Sequence, residues 1–326
     1  MTLAAKIMKE HFEIPIQTSD TSALDHVYHH IHNPLDSHLN PLQQSASKPA
    51  PFSKQALKNY ALKGAVWLTE KATGRTKPKK PERLRRLKKI LSPGDKIDFH
   101  YHSEVLNNDI PKPTLIADFE TYSVWLKPRG MLSQGSKWGD HTALYRWVEM
   151  HYKPNQQSRQ SWIVHRLDRA TCGLMLIAHS KKMAAILSQY FELGQIHKTY
   201  QANVWGNFPA TEQSIDLPVE GKKALSHVTL LESYNDACPN SHSCPTISRI
   251  KVTIETGRKH QIRYHLSQSG YPILGDRLHG NEQLDAQLAS RPNLQLTAYQ
   301  LDFLCPVKKI QHSFQLPSSQ LDLLRF

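Results

Sequence analysis

Two stretches of the 326-residue sequence gather side chains that could do chemistry. The first is HRLDRATCG, His165 to Gly173, set in a polar turn between the apolar runs SWIV and LMLIAHS. Asp168 stands there between Arg166 and Arg169, and neighbouring positive charge favours the ionised carboxylate, a state suited to a nucleophile rather than an acid. Taken alone, an aspartate among arginines is more often a surface ion pair that supports a turn. The second stretch is GRKHQIRYH, Gly257 to His265, directly after a strand-like run. Gly257 permits a tight turn, and on the helix that follows Arg258 and Arg263 point to different partners while Ile262 and Leu266 turn inward.

The elements that must position these turns are legible on either side. TYSVWLKP reads as a strand that ends at a Pro-Arg-Gly turn, and HTALYRWVEMHY as a helix with Leu144, Trp147 and Val148 on one face. LMLIAHS is a strand, followed by a helix capped by Ser180, carrying the stripe Met183, Ile186, Leu187, Tyr190 and Phe191, and closed by Gly194. KTYQANVWG, SRIKVTIET and LQLTAYQLDFL complete the strands. Many strands with few helices, and no strict βαβ alternation, predict an α+β fold with a mixed, largely antiparallel sheet flanked by helices. No internal repeat, GxxxxGK[ST] or GxGxxG offers a nucleotide site.

Taken together, HRLDRATCG and GRKHQIRYHL resemble the signature pair of the RluA-type pseudouridine synthases. Further matches follow in the family's order: WLKPRGM (Trp125 to Met131), Lys198-Thr199-Tyr200, YPILGDRLHG (Tyr271 to Gly280) and LQLTAYQLDFLCP. The resemblance runs from about Pro113 to the C-terminus. It implies a pseudouridine synthase fold, Asp168 as catalytic carboxylate, Arg263 as the arginine that pairs with it, and Tyr200 as the active-site tyrosine that stacks on the target base and assists at C5. Arg166 resembles the residue that enters the RNA stack, and Lys127, Arg258, His260 and Gln261 are assigned as further RNA contacts. Cys172 stands where the family usually has Ser, a conservative change in size.

The implied reaction breaks the N1 to C1′ bond of uridine, turns the uracil and rejoins it through C5. It consumes nothing, so no cofactor or metal is expected. One carboxylate either attacks the sugar or abstracts its proton. Extruding the base costs a few kcal/mol, which explains an inserting arginine and an aromatic ring beside the acid. A glycosidase would normally bring two carboxylates to the bond, and the motifs supply one. A non-catalytic RNA-binding or ribosome-assembly factor of the same fold is the alternative, against which the intact Asp168, Tyr200 and Arg263 set argues.

The remainder of the chain fits an RNA partner. Its 41 Lys and Arg against 28 Asp and Glu leave a formal charge of +13, which suits a polyanion. Residues 1–50 read as a partly ordered arm in which His26, His29, His30, His32 and His38 form a solvated cluster. Residues 51–104 read as a small module: a helix KQALKNYALKG capped by Ser53, a strand AVWLTE, a turn SPGD and a strand KIDFHYH. That order resembles the small S4 RNA-binding module.

Between the module's strands lies a basic run with Arg75, Lys77, Lys79, Lys80, Arg83, Arg85, Arg86, Lys88 and Lys89, read as a phosphate-tracking patch. Residues 113–326 form the expected catalytic domain. The four cysteines are too few and scattered for a disulfide framework, and Cys238, His242 and Cys244 lack the paired spacing of a metal site. With no apolar run near the roughly 20 residues that span a bilayer and no signal-like N-terminus, a cytoplasmic monomer acting on RNA is expected, ribosomal RNA before transfer RNA.

Overall fold

The computed structural model describes residues 7–19, 21–32, 52–72, 79–109, 111–235 and 245–324. The Cys238, His242 and Cys244 group, His38, Arg75 and Lys77 lie outside them. The chain divides into two compact units, 1–109 with 134–146, and 110–133 with 147–326. No helix among the described residues is long and apolar enough to cross a membrane.

The first unit is a four-stranded antiparallel sheet with helices. Its strands are β1 (Lys9–Pro15), β2 (Val66–Thr69), β3 (Glu82–Arg83) and β4 (Lys96–His102), ordered β1-β4-β2-β3. The helices are α1 (Ala23–His32), α2 (Lys54–Leu62) and the short α3 (Ser103–Asn107). Ser53 caps α2 by accepting from the Ala56 N–H. Val27 and Ile31 of α1, Leu57 of α2 and Ile97 and Phe99 of β4 share one core.

This division differs from the expected boundaries in two places. β1 comes from the stretch read as an arm, and pairs residue for residue with β4 from Lys9↔His102 to Pro15↔Lys96. Residues 134–146, expected in the catalytic domain, join the first unit because Arg83 and Arg85 of the basic run bind the buried Asp140.

The second unit carries a ten-stranded sheet. Its strands are β5 (Thr114–Asp118), β6 (Tyr122–Lys127), β7 (Trp162–Ile163), β8 (Cys172–Ala178), β9 (Ile196–Trp205), β10 (Gln213–Ile215), β11 (Ser226–Tyr234), β12 (Ile247–Ile254), β13 (Leu296–Leu304) and β14 (Gln311–Gln315). The main path runs β10-β11-β12-β9-β13-β8-β6-β5, with β14 on β13 and β7 on β8. The mixed, largely antiparallel sheet is as expected: of the strand pairs described, only β13 with β8 is parallel. The chain passes between units within α4 (Leu144–His151), and α5 (Lys181–Glu192), α6 (Gln261–Gln268) and the short α7 (Glu282–Asp285) complete the helices. Ser180 caps α5 through the Met183 N–H, and Met183 and Leu187 pack on Leu174 and Leu176 of β8.

The parallel pairing needs a glycine. Gly173, at φ +136°, faces Ala298 in register, and a Cβ there would fall on the Ala298 backbone. Gly173→Ala is expected to destabilise the protein by ~1–3 kcal/mol in urea denaturation, whereas an unchanged midpoint would show that the β8–β13 pairing accommodates a Cβ without cost.

Candidate active site

Asp168 sits in the turn between β7 and β8, and that turn is held from both sides. The Ser133 hydroxyl accepts from the Leu167 N–H at 2.9 Å and donates to the Leu167 carbonyl at 2.6 Å. On the other flank the Gly130 N–H donates to the Arg169 carbonyl at 2.8 Å, and the Arg129 guanidinium donates to the Ala170 carbonyl at 2.8 Å. The WLKPRGM stretch is therefore the support of the Asp168 turn.

That arrangement corrects the RNA-contact reading of Lys127. Its side chain is fully buried, with Nζ donating to the carbonyls of Pro128 at 3.1 Å and Met131 at 2.9 Å. Burial, with help from the Arg129 charge, pulls the amine down to about 7. Lys127 closes the supporting turn from inside and presents nothing to RNA.

Across the cleft, α6 brings Arg263 to Asp168. Burial works against the guanidinium charge, but Asp276 and then Asp168 outweigh it and raise its pKa above the usual value. Its Nε and Nη2 donate to the two oxygens of Asp276 at 2.7 and 2.6 Å, and its Nη1 donates to Asp168 Oδ2 at 3.2 Å. Asp276 is itself buried, which favours its neutral form, yet the Arg263 fork and the N–H groups of His279 and Leu278 hold its carboxyl below the usual range. Arg263 is thus fixed by one carboxylate and offered to another. Sequence reasoning quoted YPILGDRLHG but gave Asp276 no role; its signal was an acid in a matched stretch. Ser133 left no signal.

His260, at the left-handed position (φ 56°) just before α6, places Nε2 3.7 Å from Asp168 Oδ2 and Nδ1 3.4 Å from His279 Nε2. Burial first, then the charge of Arg263, lowers its pKa against the pull of Asp168. Gln261, also expected to touch RNA, is buried instead. It accepts from the Arg258 N–H and the Thr256 hydroxyl and donates to the Leu225 carbonyl and the Ser226 hydroxyl, so it ties α6 to the start of β11.

Asp168, Tyr200, His260 and Arg263 line a single cleft of about 300 Å³ with Arg166 and Arg258 also on its wall, the last two exposed. Tyr200, on β9, is buried, and burial followed by the Asp168 charge raises its phenol well above the ordinary value. His165 accepts from the Leu176 N–H at 2.9 Å, and its ring centre lies 4.4 Å from that of Phe191 with the two planes tilted by 31°.

The basic run lies in the first unit and divides in two. Arg85 makes a fork to Asp140 at 3.0 and 2.6 Å, and Arg83 adds a contact at 3.3 Å while its guanidinium covers Trp67 at 4.3 Å. These two arginines are spent on the fold, a correction to their reading as phosphate contacts. Lys79 and Lys89 are exposed and pair with Glu70, and Lys80, Arg86 and Lys88 are exposed.

Two outcomes follow from this geometry. Asp276→Ala, which strands the buried Arg263, should cost ~3–5 kcal/mol of stability in denaturant titration; a loss under ~1 kcal/mol would show that Arg263 does not depend on it. Burial and then the Lys198 charge pull His165 from 6.5 down to about 3, so the folded chain keeps this imidazole neutral where the unfolded chain would protonate it. The associated stability is complete above the unfolded value and is lost as pH falls through this window. In NMR titration the His165 ring should remain neutral at pH 5, and a midpoint near its ordinary value would contradict the placement.

A family model described as RNA pseudouridylate synthase matches residues 121–268. The dual-specificity RNA pseudouridine synthase RluA of Vibrio parahaemolyticus is 32% identical over 209 residues, covering 59% of this chain and 77% of that protein. The protein of the same name from Pasteurella multocida is 35% identical over 168 residues, covering 47% of this chain and 71% of its own. Among solved structures, human RNA pseudouridylate synthase domain containing 1 aligns at a TM-score of 0.51 and 19% identity, over 65% of this chain and 85% of that one, which shows a shared fold. The chain belongs to the RluA-type RNA pseudouridine synthase family and is an isomerase.

Proposed function

We propose that this enzyme isomerises a uridine in structured RNA, ribosomal RNA before transfer RNA, with Asp168 as the catalytic carboxylate and the target base turned out of its stack into the cleft. The observation that carries the reading is the state of Asp168. Its Oδ2 is engaged by Arg263, while Oδ1 has no hydrogen bond among the described residues, inside a cleft also lined by Tyr200. One oxygen is anchored and the other is available to the sugar, as nucleophile at C1′ or as base toward a sugar proton.

The other groups take supporting roles. Arg263 orients the carboxylate and keeps a positive charge beside it as the glycosidic bond breaks. Tyr200 remains a neutral phenol, which favours a stacking and packing role over that of a phenolate base. Arg166 is exposed beside the cleft, where it can enter the gap left by an extruded base. In the first unit, exposed Lys80, Arg86 and Lys88 would extend the footprint along phosphates, the reason for preferring a large RNA.

Two experiments test this. With RNA carrying tritium at uridine C5, the wild type should release tritium and Asp168→Asn should release none above background; release by the variant would remove Asp168 from the chemistry. Replacing Lys80, Arg86 and Lys88 together by glutamine should weaken RNA binding and flatten its dependence on log salt by roughly two units. An unchanged slope would confine the footprint to the cleft.

A further inference from the structure

One charged group on the cleft wall has no part in the scheme above. Lys198 lies on β9 two positions before Tyr200, so the two side chains share a face of the strand. It lines the same cleft as Asp168. Its ammonium lies 5.4 Å from the centre of the Phe191 ring, and a Cβ built at Gly257 would stand 3.3 Å from Nζ. Among the described residues Lys198 has neither an ion pair nor a hydrogen bond; its neighbours are an aromatic ring, a bare glycine backbone and the neutral His165. Burial lowers its pKa, and no other group adjusts it.

A half-buried ammonium without an anion is a cost to the folded protein, and side chains in that position are retained where a ligand supplies the missing charge. Asp168 does not supply it, being engaged with Arg263. Around the opening, Arg166, Arg258 and Lys259 add three exposed cations, set against the exposed carboxylate of Glu192, for which no ion pair with Lys198 is found among the described residues. The absence of a side chain at Gly257 leaves room for a group to reach Nζ. Every RNA that places an internal nucleotide beside Tyr200 brings singly charged groups of suitable size, the phosphodiesters on either side of that nucleotide.

We propose that Lys198 is the binding residue for a phosphodiester flanking the target uridine, an assignment that rests on the cleft being the uridine site. The lysine fixes the backbone of the flipped nucleotide, while Arg263 and Asp168 meet the sugar and base. It is a substrate-positioning charge and takes no proton in the isomerisation.

The test uses the full-length enzyme with Lys198→Met, which keeps the length and removes the charge, and Lys198→Arg, which keeps the charge. Fluorescence anisotropy with a target RNA transcript is read across a salt series, alongside steady-state pseudouridine formation and thermal unfolding without RNA. Lys198→Met should weaken RNA binding about tenfold or more, reduce the slope of log affinity against log salt by about one, and raise KM with kcat nearly unchanged. Lys198→Arg should restore the slope. Without RNA, Lys198→Met should melt at the same temperature as the wild type or higher, since an unpaired charge has been removed; a structural lysine would give a lower one.

An unchanged salt slope, or a fall in kcat at constant KM, would overturn the assignment. Anisotropy reads the phosphate contact without chemistry, so a wild-type enzyme that binds with the lysine-dependent slope yet forms no pseudouridine would refute the uridine-site reading and not the anion site.

Discussion

A guanidinium shared between two carboxylates organises this site. Arg263 is buried, and a buried charge is tolerable only when its partners are placed well enough to offset lost hydration. Asp276 provides that placement by taking two of the guanidinium nitrogens and being fixed in turn by the N–H groups of Leu278 and His279. The third nitrogen is then available in one direction, toward Asp168. Asp168 receives an orientation from α6 that its own turn could not impose, and the turn receives its position from Ser133, Gly130 and Arg129.

The same logic explains where cations belong in this protein. Arg83 and Arg85 are consumed by Asp140, and Lys127 by two carbonyls, so each serves the fold. Arg166, Arg258, Lys259 and, in the first unit, Lys80, Arg86 and Lys88 stay exposed. A chain with a formal charge of +13 therefore divides its positive groups between internal fastening and surface, and the surface set suits a polyanionic partner.

Much of the second unit was legible from pattern alone. Short apolar runs located β6, β8, β9 and β13, alternation located β12, and the Ser180 cap with its apolar stripe located α5, because those segments bury one face or both. In the first unit, α1 was hidden although Ala23, Val27 and Ile31 repeat every fourth residue, since histidines crowd the positions between them. β1 was hidden because Lys, Glu and His occupy most of its positions and its pairing partner lies far along the chain. At the site, the resemblance of the motifs to those of a known family brought Asp168, Tyr200 and Arg263 to attention, but a motif does not report burial. Lys127 and Gln261 read as RNA contacts and turned out to be internal fastenings, while Asp276 and Ser133 act through contacts that only the folded chain creates.

The central claim is that Asp168 carries out the isomerisation of one uridine. It is tested most directly by mapping pseudouridine, through carbodiimide labelling and primer extension, in total RNA from cells that lack this gene and are rescued with wild-type or Asp168→Asn protein. The account predicts a uridine whose modification disappears on deletion and returns with the wild type alone. Restoration of that modification by Asp168→Asn would contradict it.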